Sequence, residues 1–406
     1  MDLATRRRRT ALFLFFLIPG LAISSWVTRT PDIRDQLHAS TAQMGLVLFG
    51  LSIGSMIGII SSGPLVGRVG ARPVMGVGTL LIILGIAVIG VGAQLSSAAG
   101  VAAGLLLFGA GMGGGEVAIN IDGAEVERIT GRTVLPALHG FFSLGTVVGS
   151  AVGILCTAVA FPVIWHLVAV ALVTSATFAY AFRAIPHTAG ADKARQTQAR
   201  TSSPRPKVWK DRRLLLIGAI ILAMALAEGA ANDWLPLLMV DGHGMDQALG
   251  SAVYLGFAAA MTVGRFAGGF FIERFGRVPV VRASAISATV GIAVVVFSDS
   301  AALAGVAVVL WGLGASLGFP VTLSAAGDSG PDSAARVSLV AMIGYVAFLV
   351  GPPSLGFLGD HYGLRTAMIA VVAFTVVAVF LASAVGERLV EDTATAAGEE
   401  RCEAVD

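Results

Sequence analysis

Glu116 with Asn120, and Glu228 with Asn232, repeat one pattern of acid and amide inside otherwise apolar segments. A separation of four residues puts carboxylate and amide on the same helical face, one turn apart. A carboxylate facing lipid at mid-depth costs roughly 2.5 kcal/mol or more, so each glutamate is expected to face a cavity or a partner. A carboxylate withdrawn from bulk water can load and release a proton near neutral pH, and the adjacent amide offers donors and acceptors to a polar ligand. The pattern points to proton coupling or to binding of a polar solute. An interhelical hydrogen bond or ion pair is the plainer use of the same residues.

The surroundings of Glu116 support a pathway. Gly109, Gly113, Glu116, Asn120, Gly123 and Glu127 fall on one helical stripe, and glycines there let another backbone or a ligand approach closely. Asp122 points away from this stripe, with no evident purpose. Arg29 is a candidate for an anionic solute, or for pairing with Asp32 or Asp233. Its alternative is to snorkel to the interface. His139 and Ser143, one turn apart, are candidates for proton relay or binding, against a packing role for the histidine. Arg265 needs a counter-charge, and Glu273, two turns on, is the nearest candidate in sequence. Trp311, deep in its segment, is a candidate stacking surface. Trp26, Trp165 and Trp234, near segment ends, read as interfacial anchors.

The elements that must position these residues are membrane helices. Hydrophobic residues make up 56% of the 406 residues and charged ones 13%, about half the usual charged share, and mean hydropathy is +0.84. Twelve apolar segments can be marked, roughly at 11–30, 41–64, 73–94, 98–124, 134–160, 163–184, 213–240, 246–272, 278–297, 301–326, 335–357 and 365–386. If both termini are cytoplasmic, 23 of the 27 Lys and Arg residues lie on the inner side, and the positive-inside rule selects that orientation. Residues 1–10 read as a basic cytoplasmic N-terminus and the first helix as uncleaved. Residues 11–185 and 213–386 read as six-helix bundles, 186–212 as a polar cytoplasmic linker and 387–406 as a cytoplasmic tail. A net charge of +2 gives no reason to expect a nucleic-acid partner. The two cysteines form neither a disulfide framework nor a metal site.

The halves repeat each other. Gly63-Pro-Leu-Val-Gly-Arg-Val-Gly-Ala-Arg72 follows the second segment, and Gly269-Phe-Phe-Ile-Glu-Arg-Phe-Gly-Arg277 follows the eighth. Gly109, Gly111 and Gly115 match Gly312, Gly314 and Gly318. Parallel six-helix repeats place a substrate site between the halves near the midplane.

The two loops resemble the Gly-x-x-x-Asp-Arg-x-Gly-Arg signature of the major facilitator superfamily. A narrower likeness, to the bacterial transporters typified by the inner-membrane protein YbjJ, rests on Trp26-Val-Thr-Arg29-Thr-Pro31-Asp-Ile-Arg34-Asp, Glu116-Val-Ala-Ile-Asn120, Glu125-Val-Glu127, His139-Gly-Phe-Phe-Ser-Leu-Gly145, Glu228-Gly-x-x-x-Asp233-Trp234 and Gly264-Arg265. The resemblance implies an all-α membrane protein with twelve transmembrane helices in two pseudo-symmetric six-helix bundles, and a central cavity lined by the first, fourth, seventh and tenth helices. It also implies an inner gate at the signature loops, where Arg68, Arg72, Glu273, Arg274 and Arg277 stand. Glu125, Glu127 and Arg128 are expected there too, in ion pairs with Arg68, Arg72 or Arg132. Two departures stand out: Gly67 holds the acidic position of the first loop, and Ser150 stands where drug antiporters carry proline.

The expected function is secondary transport of a small organic solute across the bacterial cytoplasmic membrane, proton-coupled, by a monomer in contact with membrane lipid. A polar substrate, cationic or hydroxylated, is preferred. Drug or metabolite efflux and a non-transporting sensor are the alternatives. The sequence holds no His-Glu-x-x-His motif, no phosphate-cradling Gly-x-x-x-x-Gly-Lys loop and no metal-ligand cluster, so no enzyme, cofactor or metal is expected.

Overall fold

The computed structural model describes residues 3–131, 134–186, 208–330 and 333–386. They form thirteen α-helices: α1 (Leu3–Val27), α2 (Thr30–Leu37), α3 (Thr41–Val69), α4 (Ala71–Gln94), α5 (Ala98–Thr130), α6 (Leu135–Ala158), α7 (Val163–Phe182), α8 (Arg212–His243), α9 (Gln247–Phe275), α10 (Arg277–Phe297), α11 (Ala301–Gly327), α12 (Ser333–Tyr362) and α13 (Leu364–Leu381). All but α2 are long and apolar enough to cross a membrane, which gives twelve candidate spans. Exposed Leu155, Leu172, Val263, Phe270, Val306 and Phe380 give the outer surface the apolar character that hydrocarbon requires.

Polar residues at the segment ends set the helix starts. Ser40 and Gln43 form a reciprocal capping box at the start of α3, and Ser97, Asp246 and Ser300 cap α5, α9 and α11 with their side chains. The two signature loops close in the same way. Gly70 (φ 85°) joins α3 to α4 and Gly276 (φ 79°) joins α9 to α10, in a backbone region that only glycine enters without strain.

Helices α1–α7 form one bundle and α8–α13 the other. Close glycine contacts hold the first bundle together: a Cβ on Gly109 would strike the backbone of Leu51 and Ser55 in α3, and one on Gly145 that of Leu17 and Leu21 in α1. Across the bundles, α3 packs on α12 and α6 on α9. The turns α1–α3, α6–α7, α8–α9, α10–α11 and α12–α13 share one end of the molecule, called here the far end. The start of α1 and the close of α13 lie at the opposite, termini end.

Several expected boundaries change. Arg6–Arg9 do not form a separate segment; they are early turns of α1, which begins at Leu3. The helices expected over 41–64 and 98–124 run on to Val69 and Thr130. The stretch between the first two spans, expected as a plain loop, contains α2, opened by Thr30-Pro31 and closed by His38 in the left-handed region. Most of the 186–212 linker and the whole 387–406 tail lie outside the described residues.

Candidate functional site

Glu116 stands on α5 of the first bundle and is exposed, although it lies deep along the helix. It faces the second bundle, because the charges acting on it are those of Arg265 on α9 and Glu228 on α8, and it acts in turn on Tyr345 of α12. Within the second bundle Glu228 accepts a 2.9 Å hydrogen bond from the Arg265 guanidinium. One turn along α8, Asn232 accepts a longer one, 3.4 Å, from the buried Tyr254 hydroxyl. His139, exposed on α6, feels the Arg265 charge and sets its ring against Phe16, 4.8 Å between centroids. Ser143 donates to the His139 carbonyl at 3.3 Å. Two carboxylates, one guanidinium, one carboxamide, an imidazole and two phenols therefore converge on the space between the bundles; Asn120, one turn from Glu116 on α5, is half-buried. Glu116 itself makes no hydrogen bond or ion pair among the described residues.

The far end of this space is sealed. The Arg34 guanidinium pairs with Asp241, the Gln247 amide donates to Asp35 at 2.8 Å, Ser251 Oγ donates to the Thr28 carbonyl at 2.7 Å, and the Ala42 amide donates to Asp360 at 3.3 Å. Each of these contacts joins the two bundles. Gly45 lets α3 lie against α12 there, where an added Cβ would come within 2.9 Å of the Pro352 carbonyl and 3.0 Å of Gly356 Cα. At the termini end the ion pairs lie inside the bundles. Arg8–Asp122, Arg128–Glu125, Arg277–Asp328 and Arg336–Asp211 each stay within one bundle. A Cβ at Gly63 or Gly269, the first glycines of the signature loops, would meet nothing within 4 Å.

The structure corrects some expectations. The partner of Arg265 is Glu228 on the neighbouring helix; Glu273, nearer in sequence, is exposed at the end of α9. Trp311 does not line the pathway: it is fully buried, its indole N–H donates 3.0 Å to the Ala227 carbonyl, and its ring meets Phe257 edge-on. Trp26 and Trp234 are likewise buried in the core instead of anchoring at an interface, whereas Trp165 is exposed. Arg29, 2% exposed, pairs with Asp32 at 2.8 Å and donates 2.7 Å to the Phe161 carbonyl. Burial pushes the Asp32 carboxyl above the usual carboxylate range, against the pull of Arg29 and of the Thr157 hydroxyl.

At the expected inner gate, Arg68 is exposed and Arg72 stacks over Phe182 at 4.5 Å. Arg128 holds Glu125, Glu127 accepts the Val134 amide at 2.6 Å, Arg274 lies over Phe275, and Arg277 pairs with Asp328 at 2.6 Å. Arg132 lies outside the described residues. Asp122 acquires its explanation here: its carboxylate, with no exposed surface, receives both Nε and Nη2 of Arg8. Tyr254 and Tyr345 escaped the sequence reading because a lone tyrosine in an apolar segment carries no spacing signal. Among the described residues no cluster of His, Cys, Asp and Glu is fit to hold a metal.

The chain has relatives of known class. It is 30% identical over 372 residues to an uncharacterized MFS-type transporter of Yersinia pestis, covering 90% of this chain and 93% of that one. It is 29% identical over 368 residues to the uncharacterized transporter y4wD of Sinorhizobium fredii (strain NBRC 101917 / NGR234), covering 90% and 95%. The crystal structure of a D-xylose-proton symporter shares the fold with a TM-score of 0.74 at 12% identity, over 93% of this chain and 96% of that one. The Major Facilitator Superfamily model matches residues 10–345 and 257–401, and with these matches the chain belongs to that superfamily of transporters.

Proposed function

We propose that this transporter is a secondary active carrier of a small polar organic solute, coupled to protons and working by alternating access. It resides in the bacterial cytoplasmic membrane with both termini cytoplasmic, an orientation supported by the excess of Arg and Lys on that side. The termini end is then the inner end, and the far-end contacts between the bundles support reading this state as inward-facing. On its motifs we group it with the YbjJ-like transporters.

One observation carries this reading. A carboxylate of one bundle without a hydrogen bond or ion pair among the described residues, Glu116, looks across at an ion pair of the other, Glu228–Arg265, in a space whose far end is bridged by Arg34–Asp241. Rocking one bundle against the other would open the far-end seam and close the termini end around these groups. Glu116 and Glu228 are the proton-coupling or substrate-binding residues, with Asn120, Asn232, His139 and Ser143 along the pathway. Arg68, Arg72, Glu125, Glu127, Arg128, Glu273, Arg274 and Arg277 shape the inner gate. The carboxylates, guanidinium and carboxamide at this space favour a polar solute over a lipophilic drug.

The test is solute uptake by proteoliposomes under an imposed pH gradient, with solutes chosen by thermal stabilisation of the purified protein. Wild type is expected to accumulate solute with the gradient and to lose accumulation when a protonophore collapses it. Full gradient-driven transport by both Glu116→Gln and Glu228→Gln would remove these carboxylates from the mechanism.

A further inference from the structure

The turn between α12 and α13, with the adjoining ends of α3, α8 and α10, encloses a cavity of about 520 Å³ at the far end. We propose that this cavity and the groove beside it seat one phospholipid with an amine headgroup. Its phosphate lies against Arg365 and the first amides of α13, its ammonium against Asp241, and an acyl chain along the outside of α12 and α13. The orientation given above enters only in naming the leaflet, the outer one.

The headgroup end is built from charge held in place. Arg365 is anchored by backbone: its Nε and Nη2 donate to the Val296 carbonyl at 3.1 and 3.0 Å, and Nη2 donates to the Ser298 carbonyl at 2.7 Å. Its carboxylate partner, Asp299, is 97% exposed and stands at 3.2 Å. Solvent screens so open a pair, and a phosphate, which matches the guanidinium fork, can replace that carboxylate. Gly363 begins α13 with no side chain capping it, which leaves the opening amides of the helix at the wall of the same cavity. Asp241 supplies the opposite charge. Its Oδ2 receives Arg34 across the seam, and its Oδ1 accepts no hydrogen bond among the described residues. One guanidinium and one open carboxylate oxygen on the same wall fit a zwitterion. An ammonium can donate to that oxygen; a choline, with no N–H, cannot.

The cavity runs into an apolar one. Tyr362, Thr366 and Ile369 line both it and a groove of about 260 Å³ whose other walls are Leu358, Ala367 and Ala370. Leu358, Tyr362 and Ile369 are exposed there, on two helices long and apolar enough to cross a membrane. In a bilayer, hydrocarbon must cover such a face. Tyr362 has the amphipathic ring that settles at headgroup level. A polar cavity at the helix ends, opening into an apolar groove along two spans, has the form of a lipid, and a water-soluble solute has no use for the groove. The first bundle contributes one residue to the cavity, Thr41, which a Cβ on Gly359 would approach to 3.0 Å. A lipid seated here therefore touches both bundles while the seam is closed, and it favours that state by mass action if opening the seam removes part of its seat.

The test is native mass spectrometry of the full-length protein, stripped of lipid in detergent. The probes are phosphatidylethanolamine, phosphatidylcholine and phosphatidylglycerol with identical chains, and the water-soluble headgroup glycerophosphoethanolamine. We expect one phosphatidylethanolamine to stay bound, at least ~10-fold more tightly than either other lipid or the soluble headgroup. Asp241→Asn should erase the preference over phosphatidylcholine, and Arg365→Gln should weaken all three lipids. Because Arg365 also ties α13 to the end of α10, a second variant keeps the test independent of folding there. Thr366→Trp, at an exposed position shared by cavity and groove, leaves those bonds intact and should displace the lipid. Equal binding of the three lipids, equal binding of the soluble headgroup, or undiminished phosphatidylethanolamine on Thr366→Trp would overturn the assignment. None of these readouts depends on flux. A protein that holds the lipid but carries no solute rejects the carrier and keeps the seat; one that carries solute with no lipid preference rejects the seat and keeps the carrier.

Discussion

The two ends of the molecule use their charges differently. At the far end, ion pairs within a bundle, Arg29–Asp32 and Arg365–Asp299, stand beside polar contacts that run between the bundles: Arg34 to Asp241, Asp35 to Gln247, Thr28 to Ser251. Among the described residues, four ion pairs at the termini end run within a bundle, two in each. The far-end contacts include a partly exposed ion pair and single hydrogen bonds, the kind of interaction worth about 1 kcal/mol or less each. The termini end contains an ion pair whose carboxylate has no exposed surface, Arg8–Asp122. One strongly held pair thus ties α1 to α5 within the first bundle, while the polar contacts that join the bundles at the far end are individually weak. A carrier that rocks requires that division, since a strong seam would trap it in one state.

The sharpest way to break the contrast is at Arg8. Removing the guanidinium leaves the Asp122 carboxylate buried without its partner, which typically costs ~3–5 kcal/mol. Arg8→Gln is expected to lower the melting temperature strongly, while Arg128→Gln, whose partner pair is largely exposed, should move it little. The comparison is read from thermal unfolding of the purified proteins in one detergent. Equal shifts for the two variants would show that the buried pair is not the staple it resembles.

Next comes the seam itself. Gly45 packs against the backbone of Pro352, Pro353 and Gly356, so Gly45→Val forces α3 and α12 apart at the far end, at a cost of ~1–3 kcal/mol. Because the strain falls between bundles, it should appear as an opening of the far-end seam more than as a loss of fold. Distances between spin labels placed across the far end should lengthen, with melting nearly unchanged. A large fall in melting temperature without a change in distances would mean that the two bundles unfold as one unit.

Much of this arrangement could be read in the sequence, and what escaped did so for physical reasons. Hydropathy over some twenty residues, the Lys and Arg asymmetry and the duplicated loop glycines report the spans and the repeat, because bilayer thickness and backbone geometry act locally. The face shared by Glu116 and Asn120 was legible for the same reason. Partners were not. Asp122 is 114 residues from Arg8, and Arg265 passes over Glu273 on its own helix for Glu228, 37 residues back, because neighbouring helices meet at positions that helical periodicity does not specify. Trp26, Trp234 and Trp311 sit near expected span ends or at mid-depth, which suggests a role by depth alone. Their burial depends on which side of the helix faces a neighbour. The helix α2 was missed because eight residues that are polar on average carry no hydropathy signal of span length.

Asp211 offers a smaller, pH-dependent probe of the termini end. It caps α8 by accepting the Arg213 and Leu214 amides and pairs with Arg336 on α12 at 2.7 Å. Burial pulls its carboxyl upward, but the Arg336 bond and the two amides outweigh this and hold it below the ordinary carboxylate value. A depressed value means the stabilisation is present above the ordinary value and is lost as pH falls through the folded one. Asp211→Ala is therefore expected to cost ~0.5–2 kcal/mol at neutral pH and to narrow its difference from wild type in acid below about pH 4, in melts run at both pH values. A gap that widened in acid would contradict the cap.

The smallest expected effect is at Arg34, and it bears most directly on the contrast. Arg34 and Asp241 are 19% and 32% exposed, so solvent screens the pair, and its contribution is ~0–1 kcal/mol. Arg34→Gln should then leave melting unchanged but move the balance of closed and open far-end seams by up to about fivefold, since 1 kcal/mol corresponds to that ratio. The effect should shrink in wild type as salt is raised toward 1 M, where the screening length falls to about 3 Å. Labelling of a far-end cysteine such as Ser251→Cys reads the exposed fraction directly, because Ser251 is fully buried while the seam is closed. If labelling is equally slow with and without Arg34, at low and high salt, the seam is held by helix packing around Gly45 alone, and the charges at the far end guide closure without maintaining it.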